Sequence, residues 1–190
     1  MDIRKGIMRA LAGSGAAGRQ SAAGYVAHLV GDPSAADVAW LSAIMLARDE
    51  DHARWELRYA RRALGLLVAE RDALDDRTPA LVADALEAAL ERDPHVAADK
   101  VDVALAQFNV RLSAYREAFR ARNPKEAVGL RLGRELLSFS SAVPKERDLA
   151  IAEAATILQR LMSDAAEALR RSFGEAKLPD DLPPSQMARG

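Results

Sequence analysis

Apolar residues recur every three or four positions along most of the chain between residues 34 and 173. A spacing of three to four places side chains on one face of an α-helix. The repeat is clearest near the C-terminal end, in Ile151, Ala154, Leu158, Leu161, Ala165 and Leu169. No stretch alternates apolar and polar residues over more than a few positions, as a half-buried strand would. The pattern predicts an all-α fold, a compact helical bundle of about five to seven helices.

Capping residues and prolines mark where these helices begin and end. Asp32-Pro33-Ser34 predicts one helix start, with Asp32 or Ser34 as the cap, and Thr78-Pro79 predicts another, with a capping hydroxyl before a proline. Asn123-Pro124 predicts a third boundary, and Gly174 predicts the end of the last helix. Between residues 34 and 74 the pattern fits either one helix of roughly 60 Å or two helices broken at Arg48–His52.

The two ends of the chain differ in composition from the middle. Residues 1–31 are basic and rich in glycine and alanine, and they predict short helices broken at Gly13-Ser14-Gly15, or an arm. Residues 32–174 are predicted to form the helical bundle. Residues 175–190 contain three prolines and no helical period, which predicts a loose, flexible C-terminal tail.

Composition narrows the classes of function. The chain has no cysteine, which excludes disulfides, thiolate metal sites and cysteine nucleophiles. Its formal net charge is −1, so no strong overall field attracts nucleic acid or membranes. The longest apolar run, Val38–Ala47, is about half the length that a bilayer span requires. We therefore expect a soluble, cytoplasmic protein without a membrane span.

The strongest candidate for chemistry is an acidic stretch that contains a histidine. In a helix, Asp49, His52 and Glu56 lie at i, i+3 and i+7 and share one face. Over these few residues the stretch resembles the Glu-x-x-His ligand pairs of ferritin-like di-iron bundles. An aspartate replaces the glutamate, however, and the sequence holds no second acid-x-x-His pair. A metal ion is one hypothesis; the favoured interpretation is a solvated charged face without a cofactor, where His52 and Glu56 pair.

Charge is segregated along the sequence. Residues 70–93 carry eight acids and three bases, whereas residues 111–134 carry seven bases and two acids. The candidate nucleic-acid contacts in the basic run are Arg116, Arg120, Arg122 and Lys125. Tyr115 and Phe119 lie among them. Basic side chains neutralise phosphates and aromatic rings stack on nucleobases, a combination typical of proteins that bind single-stranded nucleic acid. Because both aromatic residues fall on the predicted buried stripe, the alternative is that acidic and basic helices pair, within the fold or between two copies.

Residues 125–139 carry more apolar surface than one helix face needs. The candidate interface residues in this segment are Val128, Leu130, Leu132 and Leu137. The sequence contains neither the G-x-S-x-G motif nor a P-loop. We therefore expect a non-enzymatic helical bundle that acts through protein contacts, as a homo-oligomer or as a subunit of an assembly. The alternatives are a metal-binding bundle and a nucleic-acid-associated protein.

Overall fold

Helices make up 81% of the part of the chain that the structure describes, and no strand occurs in that part. The structure is a computed structural model that describes residues 3–73, 75–121 and 126–174, with side chains from residue 15 onward. Its seven α-helices are α1 (Ile3–Leu29), α2 (Ala35–Ile44), α3 (Glu50–Asp72), α4 (Arg77–Glu91), α5 (Val101–Arg120), α6 (Val128–Phe139) and α7 (Arg147–Phe173). The predicted all-α bundle of five to seven helices is confirmed, whereas the predicted C-terminal tail lies outside the described residues. None of the described helices is both long and apolar enough to cross a membrane.

Helix α3 lies at the centre of the bundle and contacts every other α-helix. Between Glu56 and Ala69 every residue except Arg61 is buried. A helix that is buried all round must be covered on all sides. The other helices therefore form a layer around α3, and the side chains of α3 decide where their neighbours dock.

Helices α6 and α7 pack with their backbones in contact at Gly133. A Cβ atom at Gly133 would lie 2.6 Å from the carbonyl oxygen of Ile151 and 3.0 Å from the backbone nitrogen of Ala155. Only a residue without a side chain allows this approach. The six apolar residues predicted to line one face of α7 are all buried.

Three of the predicted helix boundaries are confirmed. Ser34 caps α2, because its hydroxyl accepts a hydrogen bond from the backbone N–H of Asp37 at 3.1 Å. Of the two alternatives for residues 34–74, the broken one is confirmed, since α2 ends at Ile44 and α3 begins at Glu50. At the other end, Gly174 follows α7 with a φ of 83°, a left-handed conformation that favours glycine.

The start of α4 differs from the prediction. Thr78 was expected to cap the helix, but the helix begins at Arg77 and Asp75 provides the acceptor. The Asp75 carboxylate accepts hydrogen bonds from the backbone N–H of Thr78 at 2.6 Å and from its hydroxyl at 3.0 Å. Thr78 is therefore a residue of the first turn, and Asp75 provides the side-chain acceptor for its backbone N–H.

The predicted break at Gly13-Ser14-Gly15 is wrong, because α1 runs without interruption from Ile3 to Leu29. A helical glycine costs only about 1 kcal/mol relative to alanine, and tertiary contacts offset this cost. Cβ atoms at Gly15 and Gly18 would lie 3.3 Å from Arg77 and 3.0 Å from Leu81 of α4. The glycines thus let α4 approach α1 closely instead of ending the helix.

Candidate interaction surface

The three predicted metal ligands do not form a common site. Asp49 is the N-cap of α3, and its Oδ1 accepts hydrogen bonds from the backbone N–H groups of Asp51 and His52 at 2.9 and 3.0 Å. His52 Nε2 lies 3.2 Å from Glu56 Oε1, as the spacing of four predicted. In the described part of the chain, no group of three or more histidine, aspartate or glutamate side chains could hold a metal ion.

Glu56 is buried, so the interpretation of this stretch as a solvated face is wrong at that residue. Its carboxylate binds Arg111 of α5 through both oxygens, with Nε–Oε2 and Nη2–Oε1 distances of 2.8 and 2.5 Å. This hydrogen bonding raises the pKa of Arg111 above its ordinary value. The guanidinium also lies 5.0 Å from the ring centre of Tyr59 and 4.8 Å from that of Phe139. Both oxygens of Glu56 are therefore engaged in joining α3 to α5.

Two further charges of α3 are buried and paired with distant residues. Arg58 contacts Asp32, and Arg62 contacts Asp93, each at 2.6 Å. Burial raises the pKa of Asp93, but the backbone N–H of His95 and the guanidinium of Arg62 outweigh it, so the pKa falls below its ordinary value. The charges of α3 fix the neighbouring elements in place.

The basic run of α5 is bound largely to its own chain. Arg116 contacts Glu70 of α3 at 2.6 Å, and Arg120 lies 3.7 Å from the other oxygen of the same carboxylate. Acidic and basic segments therefore do pair within the fold at this point. The other two candidate contacts, Arg122 and Lys125, lie outside the described residues.

Arg131 joins the end of α5 to the start of α6. Its guanidinium donates hydrogen bonds to the backbone oxygens of Ala118, Ala121 and Glu126 at 2.9, 2.9 and 2.6 Å.

Tyr115 is fully buried, which confirms its place on the buried stripe. Its ring is not available to stack on a base.

The four candidate interface residues of α6 have different surroundings. Leu132 and Leu137 are buried in the core of this chain, and Leu130 packs partly against it. Val128 is exposed. Helix α6 contacts α3, α5 and α7, and these neighbours take up most of its apolar surface. Whether this segment contacts a partner stays a prediction, for which Val128 is the residue most accessible to another chain.

Large apolar side chains gather instead where two loops meet. Six are exposed in the described part of the chain, and three of these lie close to the junctions α2–α3 and α6–α7. Leu46 is 80% exposed, Val143 66% and Leu149 64%. None of them belongs to a buried stripe, and the helical period of the sequence gave no sign that they would lie together at the surface.

A short antiparallel contact holds the two loops together. Met45 and Ala142 form an isolated bridge, and the backbone N–H of Val143 donates to the carbonyl oxygen of Ile44 at 2.9 Å. Arg48 and Ser141 have φ values of 49° and 50°, a left-handed conformation that non-glycine residues adopt at a cost. The loops are thus fixed in shape by their mutual hydrogen bonds.

The junction has a ridge with a cleft on each side. We call the apolar surface around this junction the corner surface. It consists of Trp40, Ile44, Leu46, Val143, Pro144 and Leu149. Pro144 lines both clefts and forms the ridge between them. The cleft beside α2 has a volume of about 460 Å³ and is lined by Trp40, Ile44 and Leu149 with Lys145, Glu146 and Glu153. The cleft beside α6 has a volume of about 270 Å³ and includes Arg134 and Arg147.

The fold and this surface define an all-α helical bundle with a preformed apolar corner. No family model matches the chain, and comparisons with curated proteins and with solved structures found no match either. The function must therefore be argued from the surface itself.

Proposed function

We propose that this protein is a non-enzymatic binding protein whose corner surface contacts another protein. The observation that carries the proposal is the exposure of Leu46 and Val143 on two loops tied by backbone hydrogen bonds, and of Leu149 in the first turn of α7, which lines a cleft with Ile44 and Pro144. Single exposed apolar residues are ordinary, but a contiguous apolar patch usually marks a contact site. Trp40, half-buried at the edge, adds a residue type that is enriched at interface hot spots.

The shape and charge of the corner surface suggest the chemistry of its partner. A partner segment would lie across the ridge and place large apolar side chains in the clefts. The cleft beside α2 is an open depression with Trp40, Ile44 and Leu149 in its lining, and an apolar side chain of the partner would pack against them. Arg147 lines the opposite cleft, where it favours an acidic side chain on the partner. The occupant we propose is therefore an apolar segment with an acidic flank, from a different protein.

The metal and nucleic-acid hypotheses lack an observation that favours them. A metal ion at Glu56 would have to displace Arg111, which binds both carboxylate oxygens. A phosphate at Arg116 would compete with Glu70. We therefore keep protein binding as the proposed function.

Site-specific photo-crosslinking in the cells that make the protein tests the proposal. A photoreactive phenylalanine analogue replaces Leu46 or Leu149 in the full chain, and the matched control carries it at Gln159, an exposed position of α7. We expect the same covalent adduct with one other protein from both corner positions and none from the control.

The captured protein is then purified, and its affinity is measured for the wild type and for Leu149→Asp. We expect at least a tenfold loss of affinity, about 1.4 kcal/mol, because an exposed apolar anchor is replaced by a charge. Dichroism at 222 nm verifies that the variant stays folded. Adducts that are equal at all three positions, adducts only with a second copy, or an unchanged affinity would each overturn the proposal.

A further inference from the structure

Helix α5 has two apolar faces, and only one of them is buried. The inner face packs on the core through Ala104, Phe108, Leu112, Tyr115 and Ala118. The outer face carries Val103, Ala106, Val110 and Ser113, and all four are exposed. Val103 is 52% exposed and Val110 58%. The spacing of three, four and three residues is that of the a and d positions of a coiled coil, which a second helix covers.

We propose that two copies of this chain associate through this outer face, with α5 antiparallel to α5. In an antiparallel pair the two kinds of core position pack against each other across the interface. Val103 then lies opposite Ser113 of the second copy, and Ala106 lies opposite Val110. Each valine meets a small residue, which allows the helices to approach closely.

The charges along one edge of the face specify this orientation. The edge consists of Asp102, Asn109 and Arg116, which follow one another at intervals of seven residues. The first two each come directly before a valine of the outer face. In an antiparallel pair this edge meets the same edge of the second copy, so Asp102 approaches Arg116 and the two asparagines face each other. Arg116 binds Glu70 at 2.6 Å, so this carboxylate competes with Asp102 for the guanidinium as it would with a phosphate, and the edge sets the orientation of the helices rather than the strength of the contact. A parallel pair would place Asp102 opposite Gln107 instead, without a charge partner.

The size of the face sets the expected strength of the dimer. Helix α5 has 20 residues and is thus about 30 Å long. A contact of about three turns on each side is at the low end of protein interfaces, so we expect a weak dimer that dissociates on dilution. The same register brings Glu117 towards Asp99 of the second copy at each end, and this like-charge contact weakens the dimer further. This dimer goes beyond the proposed function, because it uses a different surface and a different partner.

Sedimentation velocity of the full chain, from about 5 to about 500 µM, tests whether the dimer forms at the strength that its size suggests. We expect a concentration-dependent shift from monomer to dimer. Val110→Glu should raise the dimer dissociation constant at least tenfold, because it brings an unpaired charge into the contact. Gln159→Glu adds the same charge to another exposed helical position and should leave the constant unchanged. Leu149→Asp on the corner surface should leave it unchanged as well, so the two proposals can fail separately.

Disulfide trapping tests the orientation, since the chain has no cysteine of its own. Val103→Cys and Ser113→Cys chains are mixed and oxidised gently. Equal amounts of two chains that pair at random give about twice as much mixed disulfide as either symmetric one, and the antiparallel pair predicts a clear excess over this ratio. A chain that stays monomeric at about 500 µM, an association that Val110→Glu leaves intact or that Gln159→Glu weakens equally, or mixed disulfide at or below the random ratio would each overturn the proposal.

Discussion

The buried ion pair between Glu56 and Arg111 is suited to a double-mutant cycle. Glu56 is 2% exposed and Arg111 13%, so the Glu56 carboxylate cannot reach water when its partner is lost, whereas the longer Arg111 side chain can do so in part. Removing one partner of a buried pair costs about 3–5 kcal/mol, because the other charge stays in the interior. Replacing both by apolar residues of similar size is often close to neutral. We expect each single variant to be much less stable than the double variant.

The surroundings of the two groups predict which single variant is worse. In Glu56→Leu, the guanidinium of Arg111 keeps its contacts with the rings of Tyr59 and Phe139, which contribute about 0.5–2 kcal/mol. In Arg111→Met, the Glu56 carboxylate keeps only His52. We therefore expect Arg111→Met to lose about 4–5 kcal/mol, Glu56→Leu about 3, and the double variant no more than about 2. The resulting coupling energy is at least about 5 kcal/mol.

Urea unfolding followed by dichroism at 222 nm measures these free energies of unfolding. The cycle of Glu70→Leu and Arg116→Met is the matched control, since this pair also joins α3 to α5 but is partly exposed. A partly exposed pair should couple by about 1 kcal/mol or less. Equal coupling in the two cycles, or single variants at Glu56 and Arg111 that each cost less than about 1 kcal/mol, would refute the role assigned to burial.

Two further predictions follow from close packing and from a shifted pKa. Gly133→Ala should cost about 1–3 kcal/mol in urea unfolding, because its Cβ would lie 2.6 Å from the backbone of Ile151. Gly129→Ala, whose Cβ would stay 3.6 Å from Ala155, is the control and should cost nothing; equal losses would contradict this packing. Burial and a neighbouring carboxylate raise the pKa of Glu135 above the ordinary 4.5, so its stabilising contribution is present below that value and is lost as the pH rises. Glu135→Gln should therefore melt above the wild type at pH 7 but not below pH 4.5, and a lower melting temperature at pH 7 would contradict the shift.

The fold could be predicted because its signals are local. The buried stripe of α7 and its C-terminal Gly174 depend only on residues within a few turns of each other. The break between α2 and α3 was one of two alternatives, and the charged residues around Asp49 marked its position. The helical period shows which residues share one face of a helix, and in this chain most of the apolar faces pack into the core.

The buried charges of α3 could not be predicted in this way. Glu56 and His52 are four residues apart, as in an exposed helical pair, and the spacing gives no sign of burial. The partner that makes burial tolerable is Arg111, which lies 55 residues further along the chain. Arg62 and Asp93 are likewise 31 residues apart. Burial of a charge depends on a partner from another element, and a helical period contains no information about that partner.

Whether an apolar residue is available to a partner likewise depends on how the helices pack against one another. The surplus of apolar residues on α6 suggested an interface, yet α3, α5 and α7 cover most of that surplus, including Leu132 and Leu137. On helix α5, by contrast, Val103 and Val110 lie on the side that no described element covers. An apolar residue is thus available to a partner when the neighbouring helices leave it outside, whatever the composition of its own helix. For this reason Leu46, at the end of an apolar run, belongs to the corner surface rather than to the core.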